Sequence, residues 1–321
     1  MIQSIKHFTT LALAALTLPA LAAPVVTTEH VEAQLISERA GLQPGKPATI
    51  GVQLRLTPQW HTYWKNPGDS GLPTRIKWTL PQGWTAGDIQ WPYPKPLPIG
   101  PLMNFGYEDE VVLLTDITPA ANAPAGPVDI KAHVDWLVCK DICIPEQGDL
   151  DLTLPVAAKE APVDARGKAN IDNARSLLPV VAPGWKFESA LSGKSLVVRL
   201  AAPGGATPPA KAQFFPEQEG LIEPAAPQKL TREGNAIRIE MKLADPVPAG
   251  VKSVNGVAVS DAGWAGASSR KAIEVAAPVG TLPPVSPAAT VGTQVIGGSA
   301  LVALGFAFLG GLLLNLMPCV F

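Results

Sequence analysis

In two neighbouring stretches of the chain, apolar residues recur at every second position, with the period of a half-buried β-strand. In the first stretch, Pro127–Val138, apolar side chains recur at every second position from Val128 onward. After the insert Cys139–Gly148, the same alternation resumes and continues to Val156. The two stretches therefore predict a β-hairpin that carries the insert at its top.

Shorter alternating runs, separated by turns rich in proline and glycine, fill the rest of the first half of the chain. Thr49–Leu56 and Val111–Ile117 are examples. Several short strands at this spacing predict an antiparallel sandwich over residues 24–156. Further runs, such as Ser195–Leu200 and Ala236–Met241, predict a second β-rich domain over residues 169–276. We therefore expect a mainly β protein with two domains.

The segments between and after these domains differ in composition from the predicted strands. Residues 157–168 are rich in alanine, proline and lysine and predict a linker. A short helix is expected over 169–178. Residues 277–294 are rich in proline, glycine and threonine, which predicts a flexible and partly extended tether.

Both ends of the chain have the composition of segments that direct a protein to a membrane. Residues 1–22 combine a positive charge, a short apolar run and small residues at the end, as in a cleaved secretory signal peptide. Residues 295–321 are almost wholly apolar and long enough to span a bilayer. We expect this segment to be the first transmembrane helix of a larger, truncated α-helical membrane domain.

Composition and charge narrow the functional classes. The chain has 34 prolines and 29 glycines among 321 residues, and only 16% of its residues are charged, which suits a loop-rich β protein. The net charge is −2, and no stripe of lysine and arginine with interleaved aromatic residues is present. Nucleic-acid binding requires such a basic surface, so we exclude a nucleic acid as the partner.

The chemistry of the exported part centres on its two cysteines, Cys139 and Cys143, which are separated by three residues in the predicted turn. An exported chain reaches an oxidising compartment, where such a pair can form a disulfide. The loop that the bond would close is very small, so the expected entropic stabilisation is modest. A redox-active pair is therefore favoured, while a structural disulfide and a metal site stay open as alternatives. Cys319, which follows Pro318, is a candidate for a further redox-active cysteine in an electron relay.

Histidine and aromatic side chains have both functional and structural interpretations. His61 and His133 are candidate copper or zinc ligands together with the thiolates. His133 shares strand parity with the polar residues Lys131 and Asp135, which favours a solvated histidine. The aromatic cluster Trp60, Tyr63 and Trp64 is more typical of packing than of a surface that docks a partner.

Three stretches resemble the DsbD/ScsB family of transmembrane protein-disulfide reductases. They are the cysteine loop Trp136–Glu146, the upstream stretch Trp60–Pro73 and the terminal segment Leu314–Phe321. The resemblance covers essentially the whole chain, and the cysteine loop and the terminal segment are its most specific parts. The spacing of the cysteines and the second β domain favour the ScsB-like branch.

The resemblance implies an electron relay across the bacterial inner membrane, with immunoglobulin-like domains in the periplasm. Electrons pass from cytoplasmic thioredoxin through a membrane cysteine pair, of which Cys319 would be the first member. They then reach a thioredoxin-like domain of the same full-length protein, and afterwards the N-terminal domain. Cys143 matches the exchanging cysteine and Cys139 its partner. The implied substrate is a periplasmic thioredoxin-fold disulfide isomerase or a related protein.

The resemblance also implies the surroundings of the disulfide and an alternative function. The segment 101–107 matches the position of the family's cap, so a ring of Phe105 or Tyr107, with Met103 beside them, is expected against the sulfurs. Trp136 and Pro145 are expected nearby, and Pro145, which has no amide N–H, should keep Cys143 accessible. No cofactor beyond the disulfide is expected. Because the ScsB-like branch is associated with copper tolerance, a copper-binding exported protein is the alternative.

Overall fold

The structure is a computed structural model that describes residues 23–267 and 270–283. The predicted signal peptide, most of the tether, and the predicted membrane segment with Cys319 lie outside the described residues. Across the two described ranges, no helix combines the length and apolar character needed to cross a membrane.

The described residues form a mainly β protein, as the alternation predicts. The first eleven strands are β1 (Val26–Thr27), β2 (Val31–Ser37), β3 (Ala48–Leu56), β4 (His61–Gly68), β5 (Arg75–Thr79), β6 (Thr85–Ala86), β7 (Lys95–Ile99), β8 (Leu102–Glu108), β9 (Glu110–Thr118), β10 (Gly126–Cys139) and β11 (Cys143–Val156). After helix α1 (Ala165–Leu177), the chain forms β12 (Lys186–Ser192), β13 (Ser195–Ala201), β14 (Gln213–Pro216), β15 (Lys229–Glu233), β16 (Ala236–Lys242), β17 (Ser253–Val259) and β18 (Ala272–Pro278).

The first eleven strands build two facing sheets. One sheet has the order β1-β2-β3-β9-β6, and the other has the order β11-β10-β4-β8-β7 with β5 added beside β10. Alternate residues of β10, including Ile130, Val134 and Trp136, are buried in the core between the sheets, and the residues between them are more exposed. This is the half-buried strand that the period of two predicts. The architecture is consistent with the expected immunoglobulin-like sandwich.

Helix α1 begins four residues earlier than the sequence indicated, inside the segment expected to be a linker. Asp164 is the reason, because its carboxylate accepts hydrogen bonds from the backbone N–H groups of Arg166 and Gly167, both at 3.0 Å. An N-terminal cap of this kind satisfies amides that have no partner within the helix. Ile171 and Ala174 then pack the helix against the outer face of the first sandwich.

The remaining strands build a second sandwich with its own core. Its sheets have the orders β12-β13-β16-β15 and β14-β17-β18. The two sandwiches also touch each other, because Phe215 of β14 belongs to the core cluster of the first one. Its ring packs edge-on against Phe105, with 5.0 Å between centroids, and against Trp64 at 6.4 Å.

Candidate functional site

The disulfide Cys139–Cys143 lies at the closed end of the β10–β11 hairpin. The two strands pair in unbroken register from Gly126 opposite Val156 to Cys139 opposite Cys143. The last cross-strand pair is thus the cysteine pair itself, and its Cα atoms are 4.2 Å apart. The predicted hairpin, with the cysteines at its top, is confirmed.

The two sulfur-bearing residues differ sharply in exposure. Cys139 is only 2% exposed, whereas Cys143 is exposed. Between them, the turn is closed by a hydrogen bond from the Lys140 N–H to the Ile142 carbonyl at 3.1 Å, and the Ile142 side chain is 64% exposed. An incoming thiolate must reach one sulfur in line with the S–S bond, so this arrangement offers Cys143 for attack.

The hydroxyl of Tyr63 contacts both sulfurs from the protein side. Its Oη donates to Cys139 Sγ at 2.6 Å and lies 3.6 Å from Cys143 Sγ. Burial raises the pKa of Tyr63 to about 12. The phenol therefore stays protonated at physiological pH and keeps its hydrogen available for a sulfur. The sequence analysis identified Tyr63 only as a member of an aromatic cluster. No pattern of residues in β4 indicated that its hydroxyl reaches the cysteines.

His61 lies directly opposite Cys139 in the pairing of β4 with β10. It is buried, and its ring meets the Tyr63 ring edge-on with 5.2 Å between centroids. Burial lowers the pKa of His61, which favours the neutral imidazole. The Tyr63 hydroxyl that contacts the sulfurs and the His61 imidazole that packs on the Tyr63 ring are therefore both uncharged at physiological pH.

The candidate metal ligands do not assemble into a site. Within the described ranges, no three His, Cys, Asp or Glu side chains come together as metal ligands would. His133 lies six positions before Cys139 on β10, where its Nδ1 pairs with Asp149 at 2.7 Å. This carboxylate raises the pKa of His133, and its side chain is partly exposed, as its strand parity predicts.

The expected cap is not formed by Phe105 or Tyr107. The segment is strand β8 instead of a loop, and both side chains are buried. Tyr107 pairs with Thr62, whereas Cys139 pairs with His61. Neighbouring residues of a strand point to opposite faces, so the two rings lie on the core face, away from the sulfurs. There the Tyr107 hydroxyl donates to the Pro92 carbonyl at 2.7 Å.

The loop Gly68–Pro73 takes the place next to Tyr63. Gly71 in this loop has φ +111°, and a Cβ at this position would overlap the Tyr63 ring. Glycine is therefore required both by the backbone conformation and by the close approach. On the other side of the loop, Met103 is half-buried, and its backbone N–H donates to the Asp69 carboxylate at 2.8 Å.

A buried carboxylate anchors the strand that leaves Cys143. Glu146 Oε2 accepts from the Thr28 hydroxyl at 2.5 Å and from Trp136 Nε1 at 3.2 Å. Its Oε1 accepts from the His30 backbone N–H at 3.2 Å and lies 2.8 Å from His30 Nδ1. Although burial alone would raise the pKa of Glu146, these hydrogen bonds lower it below the usual value. Trp136 therefore supports the site through Glu146, and Pro145 stands exposed beside it.

An open groove of about 440 Å³ runs beside the exposed end of the hairpin. Its walls include Leu72, Leu137 and Pro145, with Arg75 and Asp135 adding charge. Leu72 in this groove is 58% exposed, and Ile142 in the turn between the cysteines is 64% exposed, so both present large apolar side chains to solvent. Exposed apolar groups bordered by polar ones are typical of a protein–protein contact.

A family model and one solved structure agree with this geometry. Residues 32–155 match the family described as "Thiol:disulfide interchange protein DsbD, N-terminal". The crystal structure of the N-terminal periplasmic domain of ScsB from Proteus mirabilis matches with a TM-score of 0.59 and 18% identity, covering 80% of this chain and 98% of that one. The E. coli chaperone DraB matches with a TM-score of only 0.22 and 11% identity, covering 76% of this chain and 96% of that one. No curated protein matched the sequence. Residues 32–155 thus form a DsbD/ScsB-like N-terminal domain, and its disulfide supports a thiol–disulfide exchange module.

Proposed function

We propose that this DsbD/ScsB-like domain is a periplasmic thiol:disulfide reductase module that passes electrons to thioredoxin-fold disulfide proteins. One observation carries the proposal: the disulfide joins an exposed sulfur, on Cys143, to a buried one, on Cys139, that accepts a hydrogen bond from Tyr63. This arrangement gives the pair a side open to a partner and a side that stabilises a departing thiolate.

The exchange step follows from these positions. A partner thiolate attacks Cys143 Sγ, a bond forms between the two sulfurs, and the Cys139–Cys143 bond breaks with its electron pair on Cys139 Sγ. The Tyr63 hydroxyl stabilises the negative charge that collects there, because hydrogen bonds to charged acceptors are the stronger ones. In the productive direction, the Cys143 thiolate attacks one sulfur of a partner's disulfide, the partner's other sulfur leaves as a thiolate, and a mixed disulfide with Cys143 forms. Cys139 then displaces the reduced partner and restores the Cys139–Cys143 bond.

The surface around the disulfide fits a protein partner. Ile142, the residue before Cys143, and Leu72, in the wall of the adjoining groove, are exposed apolar side chains, and the groove has space for a partner's side chain. Such an apolar centre with a charged edge is the usual anatomy of a transient interface. The proposed partners are a periplasmic thioredoxin-fold disulfide isomerase or a related substrate, and a thioredoxin-like domain of the same full-length protein as the electron donor.

Trapping of a mixed disulfide tests the roles of the two cysteines. Cys139→Ala leaves the exposed Cys143 thiol without the group that resolves a mixed disulfide, so a partner should accumulate in covalent complex with it. Cys143→Ala leaves only the buried thiol and should trap little. Non-reducing electrophoresis after incubation with an oxidised thioredoxin-fold isomerase measures the complex, with the double alanine variant as the blank. Equal trapping by both single variants, or stronger trapping through Cys139, would contradict the assignment.

The proposal extends to the membrane. Residues 1–22 would direct export, residues 295–321 would anchor the chain in the inner membrane, and Cys319 would receive electrons that originate from cytoplasmic thioredoxin. We expect the mature chain to fractionate with the inner membrane and a version ending at Pro278 to be released into the periplasmic fraction. Recovery of the full chain in the soluble fraction without detergent would rule out the anchor.

A further inference from the structure

Strand β4 connects the disulfide with the second sandwich. Near its start, His61 and Tyr63 lie on the face that carries the cysteines. Farther along, Trp64 packs against Phe215 of the second sandwich, and Lys65 pairs with Glu217 at 2.5 Å. One strand of nearly continuous burial therefore borders both the redox centre and the contact between the sandwiches.

Asn66 makes the most specific contact across this boundary. It is 3% exposed, and its Nδ2 donates to the carbonyl oxygens of Pro216 at 2.8 Å and Gln218 at 3.3 Å. Its Oδ1 accepts from the backbone N–H of Gly68 at 3.0 Å. The amide thus joins the second sandwich to the first residue of the loop Gly68–Pro73.

That loop in turn holds Tyr63. The side-chain Oδ1 of Asn104 accepts from the backbone N–H of Ser70 at 3.2 Å and from its hydroxyl at 3.0 Å. Together with Asn66, this contact fixes the loop where Gly71 packs on the Tyr63 ring. Every link from the second sandwich to the phenol is a hydrogen bond or a van der Waals contact between buried or half-buried groups.

We infer that the second β sandwich positions the Tyr63 hydroxyl against Cys139 Sγ, and that Asn66 is the positioning residue through which it does so. The inference rests on the proposed function, because it concerns the leaving sulfur of that exchange reaction. It also gives a role to the stretch Trp60–Pro73, which the resemblance singled out without assigning one. A donor held in place stabilises the departing thiolate more than one that must first be ordered.

A double-mutant cycle tests this coupling. The oxidised full chain in detergent is reduced with dithiothreitol, and alkylation followed by mass spectrometry of the peptide with both cysteines gives the rate constant. Tyr63→Phe should slow reduction by about tenfold, since it removes a hydrogen bond to a developing charge. Asn66→Ala should slow it by about threefold to tenfold. In the Tyr63→Phe background, Asn66→Ala should change the rate by less than about twofold, because residues that act through one group are not additive.

Two further variants separate the second sandwich from local effects. Asn66→Asp can still accept from the Gly68 N–H but cannot donate to Pro216 and Gln218, so it should slow reduction as Asn66→Ala does. Phe215→Leu removes the ring that packs on Trp64 and Phe105 from the other side of the boundary and should act in the same direction. Arg270→Ala is the matched control. It removes hydrogen bonds from Arg270 to the carbonyls of Arg175 and Leu178, which lie at the end of α1 and away from the loop.

The possible outcomes distinguish this inference from the proposed function. A wild-type rate in Asn66→Asp and Phe215→Leu, an equal slowing in Arg270→Ala, or additive slowing in the Tyr63→Phe background would overturn the inference. None of these results depends on a protein partner. Trapping experiments that fail while the cycle shows coupling would instead overturn the reductase assignment alone. Thermal unfolding of each variant, measured in parallel, excludes rates taken on unfolded protein.

Discussion

Replacing Phe105 with alanine is expected to destabilise the protein by about 3–5 kcal/mol, the usual cost of truncating a buried aromatic side chain. Phe105 is 1% exposed and packs edge-on against Phe215 of the second sandwich. The change therefore leaves a cavity that both sandwiches border. Chemical denaturation of the oxidised chain measures the loss of unfolding free energy.

Leu102→Ala on the same strand provides the matched control for Phe105→Ala. Leu102 is exposed at the start of β8, so its truncation should change stability by no more than about 0.5 kcal/mol. Under conditions in which Phe105→Ala remains folded, its disulfide should react with small thiols no faster than that of the wild type, and more slowly if the cavity loosens the boundary at Phe215 as Phe215→Leu does. A large gain in that rate with unchanged stability would instead restore the cap that the sequence suggested, and the buried placement of the ring would be wrong.

Glu146→Ala is expected to lower the unfolding free energy by about 3 kcal/mol. The substitution leaves the Trp136 indole N–H and the His30 backbone N–H without their acceptor in a largely buried place, and the Thr28 hydroxyl keeps only the Val31 carbonyl. An unsatisfied buried donor costs about 1–3 kcal/mol, and part of this is recovered when water enters the vacated space. Glu110→Ala, which breaks the exposed pair with Arg55, should cost less than about 1 kcal/mol.

The contribution of Glu146 to stability should depend on pH with a definite sign. Its pKa is lower in the folded protein than in the unfolded chain, so its ionised form stabilises the fold. The contribution is complete above the unfolded pKa of about 4.5 and is lost as the pH falls through the lower folded pKa. The stability difference between wild type and Glu146→Gln should therefore shrink between about pH 5 and pH 3. A difference that stays constant over this interval would show that folding leaves the pKa of the Glu146 carboxyl unchanged, and a difference that grows as the pH falls would show that folding raises it.

The sequence was most informative where one face of a strand is buried. The alternation over Pro127–Val138 and after Gly148 predicted the hairpin and which of its side chains are buried, because the core selects every second residue. The solvated position of His133 followed from the same kind of reasoning, whereas the accessibility of Cys143 was expected from the neighbouring Pro145. Helix α1 was located less well, since its start depends on one capping carboxylate, that of Asp164.

The surroundings of the disulfide were predicted poorly, and for a physical reason. Phe105 and Tyr107 alternate with Asn104 and Gly106, so the sequence allows the two aromatic rings to lie on either face of β8. Only the register against β4 decides the face, and register is a long-range property. The contact of Tyr63 with the sulfurs could not be predicted for the same reason. Its neighbours along the chain are aromatic or buried, whereas the sulfurs it contacts lie 76 and 80 positions away.

The position of the cysteine pair at the end of a long hairpin affects how the domain would behave over many cycles. The backbone pairs from Gly126 to Val138 join β10 and β11 independently of the sulfurs, and the bond closes a loop that the turn has already formed. The disulfide can then be reduced by two electrons and re-formed while every strand keeps its hydrogen-bonded neighbours. No refolding step need separate one turnover from the next, so throughput would be governed by how often partners meet the exposed sulfur.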